Sequence, residues 1–166
     1  MRPCPRWTNS MLFFIIYIKN HCVSCVSQYA EHGEELQVLH YEVGQKYVPH
    51  HDYFMDKINI VNGGQRIATV LMYLSDVEEG GETVFPEAKG NFSSVPWWNE
   101  LSECGKEGLS IKPKMGDALL FWSMKPDATL DPLSLHGSCP VVKGNKWSCT
   151  KWLHVCIREI NLDIIS

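Results

Sequence analysis

The sequence predicts an all-β fold of the sandwich or barrel type, with few helices. Residues 36–41 alternate apolar and polar side chains, as a half-buried strand does. Residues 67–74 are almost all apolar and rich in β-branched side chains, which is typical of a strand covered on both faces. Residues 117–122 form a third apolar run directly after the turn-forming stretch 113–116. Strands at such spacing, without helical periodicity between them, favour a sandwich or a barrel.

The remaining elements follow from turn signals along the chain. Glycine-containing stretches at 43–46 and 79–82 predict turns, and the second precedes a short strand at 83–85. Residues 109–112 and 147–157 are predicted as further strands. The stretches 91–104 and 125–135 are predicted as longer loops, and such loops often carry function in compact domains.

Length and composition are those of one globular domain. The chain has 166 residues, of which 45% are hydrophobic and 20% are charged. The net charge of −4 is mild and lacks the basic excess typical of nucleic-acid binding, so we expect no nucleic-acid partner. The seven cysteines include no pair of C-x-x-C elements, which argues against a structural zinc site.

The N-terminal stretch differs from the rest of the chain. Arg2 and Arg6 precede an apolar run at 11–18, which is too short to span a bilayer because a spanning helix needs about 20 residues. A basic flank and a run of this length fit a signal-peptide core, although no clear cleavage site follows. A buried strand or an unstructured leader explains the run equally well. We therefore divide the sequence into a leader at 1–30 and a domain at 31–160.

A candidate metal site starts from one short motif. In a strand, His50 and Asp52 would point to the same face, while His51 would point away. Alone this motif is weak, and a turn with solvated polar residues explains it equally well. His136 adds a second imidazole at the expected edge of a later strand. Two histidines and one carboxylate form the facial triad of non-haem iron oxygenases, which leaves positions open on the metal.

The same three residue types can also hold zinc in a hydrolase. No general base is visible beside the triad, and a hydrolase would leave Lys146 unexplained. Lys146 lies near the start of the last predicted strand, where its ammonium could pair with the distal carboxylate of 2-oxoglutarate. Most lysines are simply surface residues, so this position alone decides little.

A set of motifs shows that residues 31–157 resemble the catalytic domain of prolyl 4-hydroxylases of the plant and algal type. These enzymes are Fe(II)- and 2-oxoglutarate-dependent dioxygenases. The matching motifs occur in order and cover most of the chain. They lie at 36–41, 44–54, 64–74, 79–86, 114–122, 135–140 and 144–154.

The resemblance implies a role for each of several residues. It assigns Fe(II) to the His–Asp–His triad and the distal carboxylate of 2-oxoglutarate to Lys146, assisted by Tyr41. It places Trp152 beside the reactive centre as a catalytic-site residue. It places Tyr47 and Arg66 in contact with the peptide substrate.

The resemblance also implies a fold, a reaction and a cellular location. The fold is the double-stranded β-helix, a jelly-roll form, and Cys104 and Cys139 are expected to pair, with two free thiols as the alternative. The reaction is hydroxylation of peptidyl proline at the 4-position, coupled to decarboxylation of 2-oxoglutarate to succinate and CO2. It requires Fe(II), O2 and the reductant L-ascorbate. Expected substrates are proline-rich cell-wall or collagen-like peptides. The expected location is the endoplasmic reticulum or Golgi, with membrane association in some relatives.

The chain departs from the family pattern at its N-terminal end. The family has helices and strands before the position of Leu36, so the resemblance implies an N-terminally truncated domain. The alternative function is a catalytically impaired form that binds proline-rich peptide, or a chain that does not fold alone. Tyr47, Trp97 and Trp98 would suit an aromatic groove for such a peptide. For Trp97 and Trp98 we expect core packing or loop anchoring instead.

Overall fold

A computed structural model describes residues 16–19 and 33–155, and it confirms the predicted all-β jelly-roll core. Within these residues the structure has eleven strands, one short α-helix and four 3-10 turns. The strands are β1 (Ile16–Lys19), β2 (Gln37–Tyr41), β3 (Tyr47–His50), β4 (Arg66–Tyr73), β5 (Glu79–Gly80), β6 (Thr83–Phe85), β7 (Leu109–Ile111), β8 (Asp117–Trp122), β9 (His136–Ser138), β10 (Val141–Lys143) and β11 (Lys146–His154). The helix is α1 (Lys57–Gly63), and the 3-10 turns are Phe92–Ser94, Trp98–Glu100, Cys104–Glu107 and Pro132–Ser134.

The larger sheet has five antiparallel strands in the order β1-β8-β4-β11-β2. Its strand pairing places Tyr41 of β2 opposite Lys146 of β11, and Thr69 of β4 opposite Trp152 of β11. Directly opposed residues project to the same face, so each pair brings two side chains together. β1 falls inside the stretch that the sequence sets apart as a leader, and it pairs with β8 at the edge of this sheet.

The smaller sheet has four antiparallel strands in the order β3-β9-β6-β7. Here the pairing places His50 of β3 opposite His136 of β9. The register between β3 and β9 shifts between Tyr47 and His50, which indicates a bulge just before the first histidine. A two-stranded sheet of β10 and β5 closes one end.

An aromatic core joins the two main sheets. Phe85 of β6 packs against Phe121 of β8 at 5.2 Å between ring centroids, and both side chains are buried together with Leu119. On the outer face of the larger sheet, Ala68 and Leu153 belong to a second buried apolar cluster. This packing fixes the distance between the sheets, and the cavity described below lies between them.

The structure adds detail to two local expectations. Helix α1 was not predicted, yet its first turn has a standard cap, because the side chain of Asp56 accepts a hydrogen bond from the backbone N–H of Asn59 at 2.9 Å. Of the two alternatives expected for Trp97, core packing is excluded, since 47% of its surface is exposed, and loop anchoring stays a prediction. In the described part of the chain, no helix combines the length and the apolar character that a membrane crossing requires.

Candidate functional site

The three predicted metal ligands meet at the edge of the smaller sheet. Nε2 of His50 lies 3.6 Å from Oδ1 of Asp52, and Nε2 of His136 lies 3.7 Å from Oδ2 of Asp52. One ligand atom from each residue lies within 4.8 Å of the other two, so the three can converge on one ion. His50 and His136 come together because β3 and β9 pair at this point.

Backbone carbonyl groups fix the chemistry of both imidazole rings. Nδ1 of His50 lies 2.9 Å from the carbonyl oxygen of Val48, and Nδ1 of His136 lies 2.9 Å from that of Ser134. A carbonyl only accepts, so each Nδ1 carries a proton, and in the neutral ring Nε2 is then the nitrogen with a lone pair for a metal. Metal-binding histidines are oriented in this way, and the donor set therefore fits a divalent metal.

The carboxylate of Asp52 is buried and remains ionised. Burial alone would raise its pKa, but the interactions with His50 and His136 outweigh that effect and hold the pKa of Asp52 well below its usual value. The hydroxyl of Thr69 donates a hydrogen bond to Oδ2 of Asp52 at 2.5 Å. Burial, opposed by Asp52, lowers the pKa of His136, which favours the neutral imidazole that a metal requires.

Strand alternation accounts for only part of this arrangement. β3 ends at His50, so Asp52 lies in the bend that follows and alternation within a strand does not place it. His51 does not turn fully away from the site. Its Nε2 lies 3.2 Å from the carbonyl oxygen of Pro132, its ring stacks on Tyr53 at 4.5 Å, and it contributes to the rim of the cavity.

A cavity of about 410 Å³ lies between the two sheets and contains the metal ligands. Its wall on the larger sheet comes from alternate residues of β11, which all face inward. These are Lys146, Ser148, Thr150 and Trp152. Thr69 and Leu71 of β4 continue the same wall. The cavity thus has metal ligands on one sheet and a buried ammonium on the other.

Lys146 is a cavity residue rather than a surface lysine. Only 1% of its surface is exposed, and its Nζ donates a hydrogen bond to the hydroxyl of Ser138 at 2.8 Å. Burial lowers the pKa of Lys146 to about 7, against an opposing effect of Glu82. Nζ lies 5.4 Å from the ring centroid of Tyr41, its cross-strand neighbour. Burial, followed by the effect of Tyr47, raises the pKa of Tyr41 to about 12, so its hydroxyl remains a donor at neutral pH.

Arg66 lies at the cavity with its guanidinium already engaged. Its Nε and Nη2 donate to the two carboxylate oxygens of Glu34 at 2.5 and 2.7 Å, and its Cζ lies 4.0 Å from the ring centroid of Trp152. The paired guanidinium in turn lowers the pKa of Glu34. Nε2 of His154 lies 2.8 Å from the same carboxylate. This network holds the indole of Trp152 at the cavity wall.

The expected cysteine pair is also close together. The Sγ atoms of Cys104 and Cys139 lie at disulfide distance, 2.06 Å, and their Cα atoms lie 5.7 Å apart. Cys139 immediately follows β9, which bears His136, and Cys104 starts the 3-10 turn Cys104–Glu107. The pair therefore connects the loop before β7 to the strand that carries a metal ligand.

These features define a family. The profile of the 2OG-Fe(II) oxygenase superfamily matches residues 36–154, and the chain belongs to this superfamily. Within it, the chain is similar to prolyl 4-hydroxylases, as the motifs had indicated. It is 84% identical to probable prolyl 4-hydroxylase 10 of Arabidopsis thaliana over 125 residues, which are 75% of this chain and 43% of that protein. It is 78% identical to prolyl 4-hydroxylase 5 of the same plant, over the same shares of both chains.

A solved structure supports the fold. The viral collagen prolyl hydroxylase of Paramecium bursaria Chlorella virus-1, in its 2OG complex, matches this chain with a TM-score of 0.54 and 31% identity. The match covers 74% of this chain and 60% of the viral one. Against its Arabidopsis relatives, the chain spans less than half of their length.

Several residues of the site escaped the sequence analysis. Thr69 lies in an apolar run and looked like part of a buried strand, Ser138 lies in the motif that contains His136 but was given no role of its own, and Glu34 stood in no matching motif. Each has its role through a partner distant in sequence, namely Asp52, Lys146 and Arg66. The sequence gives one signal for Thr69. It lies two residues before Leu71, so both side chains face the cavity from the same side of β4.

Proposed function

We propose that this chain is the catalytic domain of an enzyme that hydroxylates peptidyl proline at the 4-position. The reaction consumes O2 and 2-oxoglutarate and releases succinate and CO2. The observation that carries the proposal is that the His50–Asp52–His136 triad and the buried Lys146 line one cavity. The high identity to plant prolyl 4-hydroxylases supports the choice of substrate.

Lys146 and Tyr41 would hold the distal carboxylate of 2-oxoglutarate. The ammonium is buried in the cavity lining and has Ser138 as its hydrogen-bond partner. A carboxylate placed beside it would form a charge-assisted bond in a site that excludes water, which strengthens the interaction. The neutral hydroxyl of Tyr41 would add a second donor.

His50, Asp52 and His136 would hold Fe(II), which when bound supplies the activation of O2 and a coordination site for the 2-oxo acid. The protein's own contribution is to orient both Nε2 atoms toward the metal position and to keep the carboxylate ionised. Thr69 fixes the orientation of that carboxylate. The aromatic ring of Phe121 lies 4.5 Å from that of His136 and packs against this ligand.

The peptide would enter past Tyr47. This ring is 46% exposed and lies 4.2 Å from the ring of His50, so it offers an apolar face beside the metal ligands. Arg66 and Trp152 would contact the bound proline from the larger sheet. Because Glu34 already pairs with Arg66, we expect this arginine to act mainly by holding the Trp152 indole in place.

The natural setting would be the secretory pathway, with a proline-rich cell-wall or collagen-like peptide as substrate and L-ascorbate as reductant. A disulfide between Cys104 and Cys139 would fit that setting, since disulfides persist in oxidising compartments and are rare in the cytosol. The chain spans less than half of the length of its Arabidopsis relatives, and we propose the same activity for the whole protein.

The test is turnover by the purified chain with Fe(II), ascorbate, 2-oxoglutarate and a short proline-rich peptide. Succinate release should depend on the peptide, and tandem mass spectrometry should locate one added oxygen atom on a proline, derived from isotopically labelled O2. A peptide with alanine in place of proline is the control. Binding of the peptide without succinate release would contradict the proposed enzyme and favour the peptide-binding module.

A further inference from the structure

A surface loop carries a sequence motif that the proposed reaction does not use. The loop connects β6 to β7, and within it Asn91, Phe92 and Ser93 form an Asn-x-Ser motif. Asn-x-Ser and Asn-x-Thr, where x is not proline, are the acceptor sites of N-linked glycosylation. Asn91 is the one asparagine of the sequence that opens such a motif. The motif alone is a weak signal, so the inference depends on where it lies in the fold and on the geometry of its side chains.

The motif lies where a bulky group has room. Asn91 and Ser93 are exposed, whereas Phe92 between them is partly buried. The ring of Phe92 folds back over Gly90, since a Cβ on that glycine would lie 2.9 Å from Cε1 of the ring. None of the three residues of the motif lines the cavity that contains the predicted metal ligands. A hydrophilic glycan on Asn91 would therefore project into solvent and leave the cavity open.

The side chain of Asn91 has a defined orientation. Its Oδ1 accepts a hydrogen bond from the backbone N–H of Ser93 at 3.3 Å and a second one from the hydroxyl of Ser93 at 2.7 Å. A backbone N–H only donates, so the atom that faces it is the amide oxygen and Nδ2 points the other way. Nδ2 has no acceptor among the residues that the structure describes. A sugar attached to this nitrogen would break no hydrogen bond of the fold.

The same two hydrogen bonds favour reaction at Nδ2. An amide nitrogen is a weak nucleophile because its lone pair is delocalised into the carbonyl group. Donors to Oδ1 stabilise the form of the amide in which Nδ2 has lost a proton, and the lone pair is then available to form a bond. Both donors belong to Ser93, two residues away, so this arrangement can form locally before the two sheets assemble.

We propose that Asn91 is an acceptor site for an N-linked oligosaccharide. The donor is an oligosaccharide joined through its anomeric carbon to a lipid pyrophosphate. Nδ2 of Asn91 forms a bond to that carbon and gives up one proton, while the bond from the carbon to the pyrophosphate oxygen breaks and its electron pair leaves with the lipid pyrophosphate. The inference rests on the secretory setting that forms part of the proposed function.

The test expresses the full chain in yeast cells behind a cleavable signal peptide, so that delivery to the endoplasmic reticulum is imposed. Most of the chains should carry one glycan that peptide N-glycosidase removes, with an increase in electrophoretic mobility. When that digestion is done in isotopically labelled water, mass spectrometry should show that Asn91 has become an aspartate with one labelled oxygen.

Four variants isolate the acceptor. Asn91→Gln and Ser93→Ala should each reduce the modified fraction at least tenfold, whereas Ser93→Thr keeps the hydroxyl and should retain it. Asn99→Gln is the matched control and should be modified like the wild type, because Asn99 is exposed in the same loop but is not followed by serine or threonine two residues later.

Asn91→Asp separates a missing acceptor from a misfolded loop. An aspartate keeps an oxygen that can accept from Ser93 but has no nitrogen, so this variant should stay unmodified and unfold in denaturant at the same midpoint as unglycosylated wild type. A glycan that persists in Asn91→Asp would overturn the inference. So would unmodified wild type and Ser93→Thr in cells that glycosylate a second secreted protein.

The proposed reaction fails separately from this inference. A chain that carries the glycan but releases no succinate with a proline-rich peptide contradicts the reaction and leaves the acceptor site standing. A chain that turns over the peptide but is never modified in the endoplasmic reticulum contradicts the acceptor site and leaves the reaction standing.

Discussion

Replacement of Lys146 by methionine should stabilise the ligand-free protein while it weakens the binding of 2-oxoglutarate. Methionine has a similar length and no charge, so it fits the apolar stem of a side chain that is 1% exposed. Burial lowers the pKa of Lys146 from 10.5 to about 7. A base that takes up a proton less readily in the folded chain than in the unfolded chain destabilises the fold wherever the unfolded chain is protonated.

The magnitude and its sign follow from proton linkage. Between pH 7 and pH 10.5 the unfolded chain binds a proton that the folded chain does not, so the stability of the wild type rises with pH in this window. One pKa unit corresponds to about 1.4 kcal/mol, so the full effect below pH 7 is on the order of 5 kcal/mol. The advantage of Lys146→Met should therefore be largest below pH 7 and shrink by about 1.4 kcal/mol per pH unit above it.

The assay is urea unfolding, followed by tryptophan fluorescence, at pH 6 to pH 9 with metal and 2-oxoglutarate removed. Lys89→Met is the matched control, because Lys89 is exposed and its loss should change the unfolding free energy by less than about 0.5 kcal/mol. A constant difference between wild type and Lys146→Met at every pH would refute the reasoning. In the same variant, the dissociation constant for 2-oxoglutarate should rise about tenfold to a hundredfold, through loss of a charge-assisted bond.

Three further predictions concern the metal site and its supports. His136→Ala should abolish both turnover and Mn²⁺ binding measured by electron paramagnetic resonance, whereas His51→Ala should retain both, and equal losses would show that the ligand set is wrong. Thr69→Val removes the donor to the ligand carboxylate and should weaken metal affinity about tenfold to a hundredfold in a metal titration; an unchanged affinity would exclude this role. Reduction of a Cys104–Cys139 disulfide, which spans 35 residues, should lower the unfolding free energy by about 3–4 kcal/mol in denaturant titrations. Indistinguishable unfolding curves with and without reductant would contradict it.

The sequence predicted the strands well where burial imposes a simple pattern. β4 and β8 are continuous apolar runs because both of their faces are covered, and β2 alternates because only one of its faces is. Helix α1 escaped prediction for a physical reason. It has seven residues, and Ile58 and Val61 remain exposed, so it has no amphipathic pattern that a periodicity analysis could find.

The sequence predicted the metal ligands but not the residues that hold the ligands and Lys146 in place. The motif that contains His50 and Asp52 was visible, and His136 stood at the expected edge of a later strand, so the facial triad was predicted from the residues and then assigned to Fe(II) by the family resemblance. The contacts of Thr69, Ser138 and Glu34 depend on the register between strands that are distant in sequence, and periodicity within one strand carries no information about that register. The bend after β3 was also missed, because the motif looked like one continuous strand whereas β3 ends at His50, before Asp52.

The division of the cavity between two sheets has a consequence for ligand choice. In the proposed binding mode, residues of the smaller sheet hold one end of a dicarboxylate and residues of the larger sheet hold the other. The distance between the sheets therefore selects the length of the dicarboxylate that binds. The packing of Phe85 against Phe121 sets that gap. Discrimination among dicarboxylic acids that differ by one methylene would then depend in part on Phe85, which does not line the cavity. Trimming the ring of Phe85 should shift the preferred chain length of the dicarboxylic acid.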